Sequence, residues 1–379
     1  MSSWDYVIVG GGSAGCVLAA RLSQDPAARV LLLEAGGPAG GEEFTDPAAW
    51  PGLLGGPADW GDRTVPQADA GPVPYPRGKV LGGSGSVNAM AHLRGHRMVY
   101  DAWAAGAAPG WGYADLLPHF RRSERRSGGM PGVRGDAGPV EVAPVPGPAR
   151  HPVARALAEA LITAGHPVTA DLSGTWQEGV AWADLAISAA GRRSGPATAY
   201  AGPAMAASRN LDVRTGCLVT HLIIRHGRCT GVSFVHDGAS GEARADGDVI
   251  VCAGAIGSPR LLMLSGIGPA ARLKAVGIDP VADLPGVGEN LQDHSVVMAA
   301  CRSAVALPAS RGNHGELYAS LRSTLAGAVP DLQLFPILFP VAPPGQQAPP
   351  SGFALARDAR ESGNVLPGGG ADCAGARSG

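Results

Sequence analysis

The stretch that most constrains this chain is its beginning, DYVIVGGGSAGCVLAARLSQDPAARVLLLEAGG, residues 5–37. An apolar run at 6–9 stops at three glycines, a helix-spaced pattern follows over about 14–23, and a second apolar run at 30–33 ends at Glu34. That order predicts a right-handed βαβ unit. Gly10, Gly12 and Gly15 hold G-x-G-x-x-G spacing where the strand gives way to the helix. In such a turn Gly10 makes the reversal, Gly12 admits a pyrophosphate to the helix start at Ser13 and Ala14, and Gly15 lets helix and strand pack closely. Glu34, followed by Ala35, stands where an acid accepts hydrogen bonds from a ribose 2′-OH, and its charge disfavours a 2′-phosphate. Between FAD and NAD the fingerprint does not decide.

At 379 residues, 45% hydrophobic and a mean hydropathy of +0.07, the chain can bury a large core in about two or three domains. Its net charge of −2 and pI near 6.5 provide no global field for nucleic acid or an anionic membrane. The run FRRSERRSGG at 120–129 reads as a solvated helix end. Cys16, Cys217, Cys229, Cys252, Cys301 and Cys373 form no C-x-x-C pair and have no histidines at ligand spacing. They read as reduced thiols of a cytoplasmic protein without a metal site. The first apolar run is too short for a signal or a membrane span, so neither secretion nor insertion is expected.

A second glycine-rich stretch, RGKVLGGSGSVNAM at 77–90, has more backbone freedom and more small hydroxyls than a plain turn needs. With the following AHLRGHRMVYDAW it resembles the first signature of the glucose-methanol-choline family of flavin oxidoreductases, R-G-K-x-L-G-G-S-S-x-x-N-A-M. Arg77, Gly78, Lys79, Leu81, Gly82, Gly83, Ser84, Ser86, Asn88, Ala89 and Met90 all fit. The resemblance implies that this loop lies against the flavin and its diphosphate, through Gly78, Val80, Gly82, Gly83, Ser84, Asn88, Ala89, Met90 and Ala91.

Three further segments extend the resemblance in family order over roughly 4–340. CAGAIGSPRLLMLSGIGP at 252–269 reads as the end of a buried strand at 248–251, a small-residue turn and a helix capped by Ser258 with Pro259 at its first position. By resemblance Ala253 and Gly254 pass close to the dinucleotide. LPGVGENLQDH at 284–294 is similar to the family's G-V-G-x-N-L-x-D-H. GRRSGPATAYAGPAMAASRNLDVRTGCLVTHLII at 191–224 is similar to its R-x-S-x-x-x-A-Y and N-L-x-V-x-T segments, which would set the backbone of Val219 against the adenine. Between the motifs, residues 217–236 alternate like a hairpin turning near Gly227, and 151–165 has amphipathic helical spacing ending at Gly165.

The chain also departs from the family. Some members tether FAD through a histidine just before the motif asparagine, a position held here by Val87, so non-covalent FAD is expected. Gly85 stands where a second serine is commoner, removing one hydroxyl. After PDLQLFPILFP at 330–340 the resemblance implies a long segment bearing the catalytic histidine. The sequence instead becomes rich in Gly, Ala and Pro without a sustained period, and residues 341–379 read as a disordered tail, either a natural flexible end or, the favoured alternative, a stretch translated out of frame after about Ala356. His294 lies in a motif that is structural by resemblance. His92, His96, His119, His151, His166, His221, His226, His236 and His314 have no spacing that singles out a base. The catalytic residue is therefore left unnamed.

The expected fold is α/β, a doubly wound FAD-binding domain over 1–300 with a substrate-domain excursion near 150–205, then an incomplete α+β substrate domain starting at 301–340. The expected function is FAD-dependent oxidation of an alcohol, with hydride passing to flavin N5 and an unidentified electron acceptor. For the 379 residues as written, little or no alcohol-dependent flavin reduction is expected. The alternatives are a catalytically dead nucleotide-binding fragment of such an enzyme, and an NAD-dependent dehydrogenase, which the loop at 77–90 disfavours.

Overall fold

In a computed structural model the chain is described over residues 3–66, 71–106, 108–341, 348 and 351–359. Its longer strands, in chain order, are β1 (Ser3–Val9), β2 (Val30–Leu33), β3 (Gly179–Trp182), β4 (Leu211–Arg214), β5 (Cys217–Arg225), β6 (Arg228–His236), β7 (Ala239–Val251), β8 (Ser295–Arg302), β9 (Leu317–Leu321), β10 (Leu332–Ile337) and β11 (Gly352–Ala359). The helices used below are α1 (Ser13–Leu22), α2 (Tyr113–Ser123), α3 (Pro152–Thr163) and α4 (Gly254–Leu264).

The first sheet has the order β4-β2-β1-β7-β6-β5. Strands β4, β2, β1 and β7 run parallel, and the long β7 continues into an antiparallel meander with β6 and β5. Both faces of the parallel part are covered, which is why its strands are continuously apolar. Ile8, Val30 and Leu32 pack with α1 residues Cys16 and Ala19 and with Tyr200 and Ala201. Val7, Val9, Leu31 and Leu33 face Leu222, Val232 and Phe234 of the meander and Leu261 of α4. The second face thus rests largely on antiparallel strands, with α4 beside them. The expected βαβ unit and the hairpin around Gly227 are present at these positions.

The second sheet is antiparallel, with order β8-β11-β10-β9-β3. Helix α3 packs on it through Ala154, Ala158 and Leu161 against Val180, Leu317, Ala319 and Leu338. The segment at 152–182 therefore lies with this sheet, as does β8, ahead of the boundary expected at 301.

Two expectations are corrected. Strand β11 lies inside the stretch expected to be disordered, paired with both β8 and β10. Its buried residues Gly352, Ala354 and Ala356 alternate with larger neighbours, a period of two hidden by small side chains. The rest of the expected tail, 360–379, falls outside the described residues. Helix α4 starts at Gly254 with Ala253 as N-cap, so Ser258 caps nothing and Pro259 lies within the helix. The small residues let the chain turn into a helix directly at the strand end. Among the described residues no helix is long and apolar enough to cross a membrane.

Candidate functional site: a cleft at the strand ends

Strands β1, β2 and β7 end in register, Val9 beside Leu33 on one side and Val251 on the other. Gly10, Glu34 and Cys252 thus emerge together at the carboxyl edge of the sheet, where open α/β sheets place their ligands. Gly10 has φ +98°, and a Cβ on it would lie 2.6 Å from the Cys252 carbonyl oxygen. On Gly15 a Cβ would collide with the Gly10 carbonyl. Both positions need glycine for backbone approach, as the spacing implies.

Helix α1 opens this cleft. Its N-cap is Gly12, with no side-chain cap, and Ser13 and Ala14 are exposed. The first-turn amides and the helix dipole are therefore open to an anion. Glu34 is 5% exposed; its carboxylate accepts the amides of Gly11 at 2.7 Å and Gly36 at 2.8 Å. Burial raises its pKa, opposed by those two amides and by the charge of Lys79. The carboxylate clamps the glycine turn, and its remaining lone pairs are those a ribose hydroxyl could use. Beneath the turn, burial pushes the Cys16 thiol up to about 12, which makes it an inert core residue.

The loop at 77–90 is laid across this turn. Gly82 donates to Gly11 O at 2.6 Å, Leu81 to Gly37 O at 2.9 Å, and Gly37 bridges to Val80. The Gly78 amide donates to Ser84 Oγ at 3.2 Å. Ser84 and Asn88, one helical turn apart, are exposed on one side. Val80 and Met90 are each 2% exposed, so only their backbones can serve a ligand. Val87, at the tethering position, is packed with Leu53 and Val80. Gly85 has a packing reason: a Cβ there would stand 2.5 Å from Pro196 Cγ and 2.8 Å from Ser13 Oγ. Ala253 and Gly254 close another side of the cleft at the start of α4. Val219 is reached indirectly, since the Cys217 amide donates to Glu34 O at 2.8 Å and Val219 follows on β5. Ala35 lies between the clamp and that strand, and Ala91 bridges to Leu185 beyond the loop.

Several residues that sequence reasoning missed support this arrangement. Glu124, at the end of α2, is fully buried and receives Arg94 at 2.6 Å, Arg134 at 2.8 Å and His92 at 3.1 Å. Arg134 also reaches Asp171 and Asp184, and Arg126 pairs with Asp184. Burial opposes ionisation of Glu124, but hydrogen bonds from His92, Arg134 and the Gly135 amide hold its carboxyl far below the usual range. This cluster anchors residues 92–94, where the chain leaves the loop. Asn313 donates to Ala89 O, which ties the second sheet's neighbourhood to the loop. No periodic pattern marks residues so far apart in sequence. Of the histidines, His92, His151 and His314 hold Nε2 against Glu124, Pro308 O and Ala48 O.

A helix start without a cap, a buried acid beside it and a second glycine loop pressed against it fit a diphosphate-bearing dinucleotide. Fold and cleft define the class as a doubly wound dinucleotide-binding protein. The chain belongs to the GMC oxidoreductase family, which matches residues 4–296.

The chain is 43% identical to human mitochondrial choline dehydrogenase over 316 residues, 80% of this chain and 52% of that protein. Among solved structures, pyridoxine 4-oxidase from Mesorbium loti superposes with a TM-score of 0.88 at 36% identity, over 94% of this chain and 71% of the other. An FAD-dependent oxidoreductase from Chaetomium thermophilum gives 0.72 at 32% identity, over 79% and 53%. The chain spans about half the length of the curated relatives it matches.

Proposed function

We propose that this chain binds FAD non-covalently in the cleft and belongs to an enzyme that oxidises the CH–OH group of a small alcohol. The observation that carries the reading is the contact of the two glycine segments, Gly10–Gly15 and Gly78–Ser84, around an uncapped helix start. FAD, when bound, supplies the hydride acceptor. The chain's own residues bind and orient it. The amides of Ser13, Ala14 and Gly15 face the diphosphate, Glu34 accepts from the adenosine ribose, and the backbone at Val219 meets the adenine. Gly82, Gly83, Ser84 and the run Asn88 to Ala91 lie along the flavin side, with Ala253 and Gly254 opposite. The names of the relatives, choline dehydrogenase and pyridoxine 4-oxidase, support a hydroxymethyl or similar alcohol as substrate. The five described cysteines are all unpaired, which supports the cytoplasmic reading.

The test compares the FAD-loaded chain with the same chain joined to the C-terminal part of a relative. Each is mixed anaerobically with a panel of primary and secondary alcohols while the oxidised flavin band is followed. Alcohol-dependent bleaching in the joined protein, with little in the 379-residue chain, is expected. No bleaching in either by any alcohol would overturn the reading.

A further inference from the structure

Arg193 is 3% exposed, yet among the described residues no carboxylate pairs with it. Its Nε donates to Phe44 O at 3.1 Å, and Nη1 donates to Asn88 O at 2.8 Å, to Asn88 Oδ1 at 2.9 Å and, at 3.4 Å, to Gly85 O. Among the described residues Nη2 donates to nothing. The buried arginines of the ionic cluster, Arg94 and Arg134, are each matched by Glu124. Arg193 is held only by carbonyl dipoles. Burial alone brings its pKa down to about 10, so it stays charged at neutral pH. A buried cation without an anion is costly, and a fold that keeps one leaves its field unneutralised.

That field acts on the flavin loop. The Asn88 carbonyl is turned onto the guanidinium, and in a trans peptide the following N–H points the opposite way. The Ala89 amide is thereby aimed away from Arg193, and it donates to nothing among the described residues. The neighbouring Met90 amide is already taken by Asn88 Oδ1 at 3.0 Å. Asn88 is exposed and Ala89 half-buried, so the outer face of the loop presents a free backbone donor with a cation behind it.

We propose that Arg193 is a positioning residue for the flavin, holding the Asn88–Ala89 peptide toward the cofactor while its unneutralised charge favours the reduced state. Adding a hydride, two electrons and one proton, to neutral isoalloxazine leaves one negative charge on the ring, and a nearby buried cation stabilises that state. The proposal rests on FAD binding in this cleft.

The test uses the FAD-reconstituted chain, Arg193→Gln, which keeps donors and loses the charge, and Arg193→Lys, which keeps the charge. The flavin midpoint potential is measured against a reference dye. R193Q is expected to shift the oxidised-to-reduced equilibrium at least tenfold toward oxidised, about 30 mV for a two-electron couple. R193K should return to within threefold of the parent. Loss of FAD by R193Q with retention by R193K also supports the charge. An unshifted R193Q, equal shifts in both variants or loss of FAD from both overturns the proposal. If the parent chain takes up no FAD, the cofactor reading fails and this proposal falls with it; a parent that binds FAD while R193Q is unshifted overturns this proposal alone.

Discussion

Gly12 and Gly83 meet backbone to backbone: a Cβ on Gly83 would stand 2.7 Å from Gly12 Cα, with Gly83 itself at φ +55°. The turn that opens α1 and the loop that crosses it are one surface built from two distant stretches.

Gly83→Ala is therefore expected to weaken FAD binding at least tenfold, about 1.4 kcal/mol, and to cost about 1–2 kcal/mol of stability from the left-handed backbone alone. Flavin fluorescence titration and urea denaturation read the two effects. Gly147→Ala, whose Cβ would meet nothing within 4 Å, is the control and should match the parent in both.

Glu34→Gln leaves either the Gly11 or the Gly36 amide facing an NH2 group, because both carboxylate oxygens are engaged. The variant should lose about 1–3 kcal/mol of stability even without cofactor, besides binding FAD less tightly. The sequence marks Glu34 only as a ribose acceptor; the clamp adds the effect on stability. Equal urea midpoints for parent and variant apoproteins would contradict it.

Glu124 provides the pH dependence. Its folded pKa is depressed below the ordinary 4.5, so its contribution is fully present above that value and is lost as pH falls from there toward the folded value. Glu124→Gln should destabilise the protein at pH 7 by about 3–5 kcal/mol. It should also flatten the fall in stability below pH 4.5. A parallel acid-unfolding profile in the variant would show that the cluster does not titrate as a unit.

Non-covalent attachment predicts that acid precipitation of the FAD-loaded chain leaves the flavin in the supernatant. Val87→His should not change that result, because the side chain at 87 is packed against Leu53 and Val80. Flavin retained in the pellet of the parent would contradict non-covalent attachment, and flavin retained by the variant alone would contradict this packing.

The parts of this site that follow short-range rules were legible in the sequence. Strand periods, the glycine spacing of 10–15 and the terminal acid Glu34 announce the βαβ unit, because each is imposed by local geometry. The start of α4 was misplaced because Ser258 and Pro259 look like a cap, while the strand end at Val251 had already fixed where the chain must turn. Strand β11 was missed because alternating Gly and Ala carry little hydropathy contrast. Arg193 could not be told from its neighbour: Arg192 is exposed and Arg193 buried, and only the approach of residues 44 and 88 from elsewhere in the chain separates them. The same holds for Glu124, Arg134, Asp171 and Asp184, which are brought together only by tertiary structure.

The cleft at the ends of β1, β2 and β7 is proposed as the FAD site. Equilibrium titration of the apo chain with FAD, followed by challenge with NAD+, tests it most directly. Saturable one-to-one uptake of FAD that a hundredfold excess of NAD+, roughly 2.7 kcal/mol of mass action, does not displace is the expected result. No uptake, or FAD displaced by NAD+ at comparable concentration, would contradict the account.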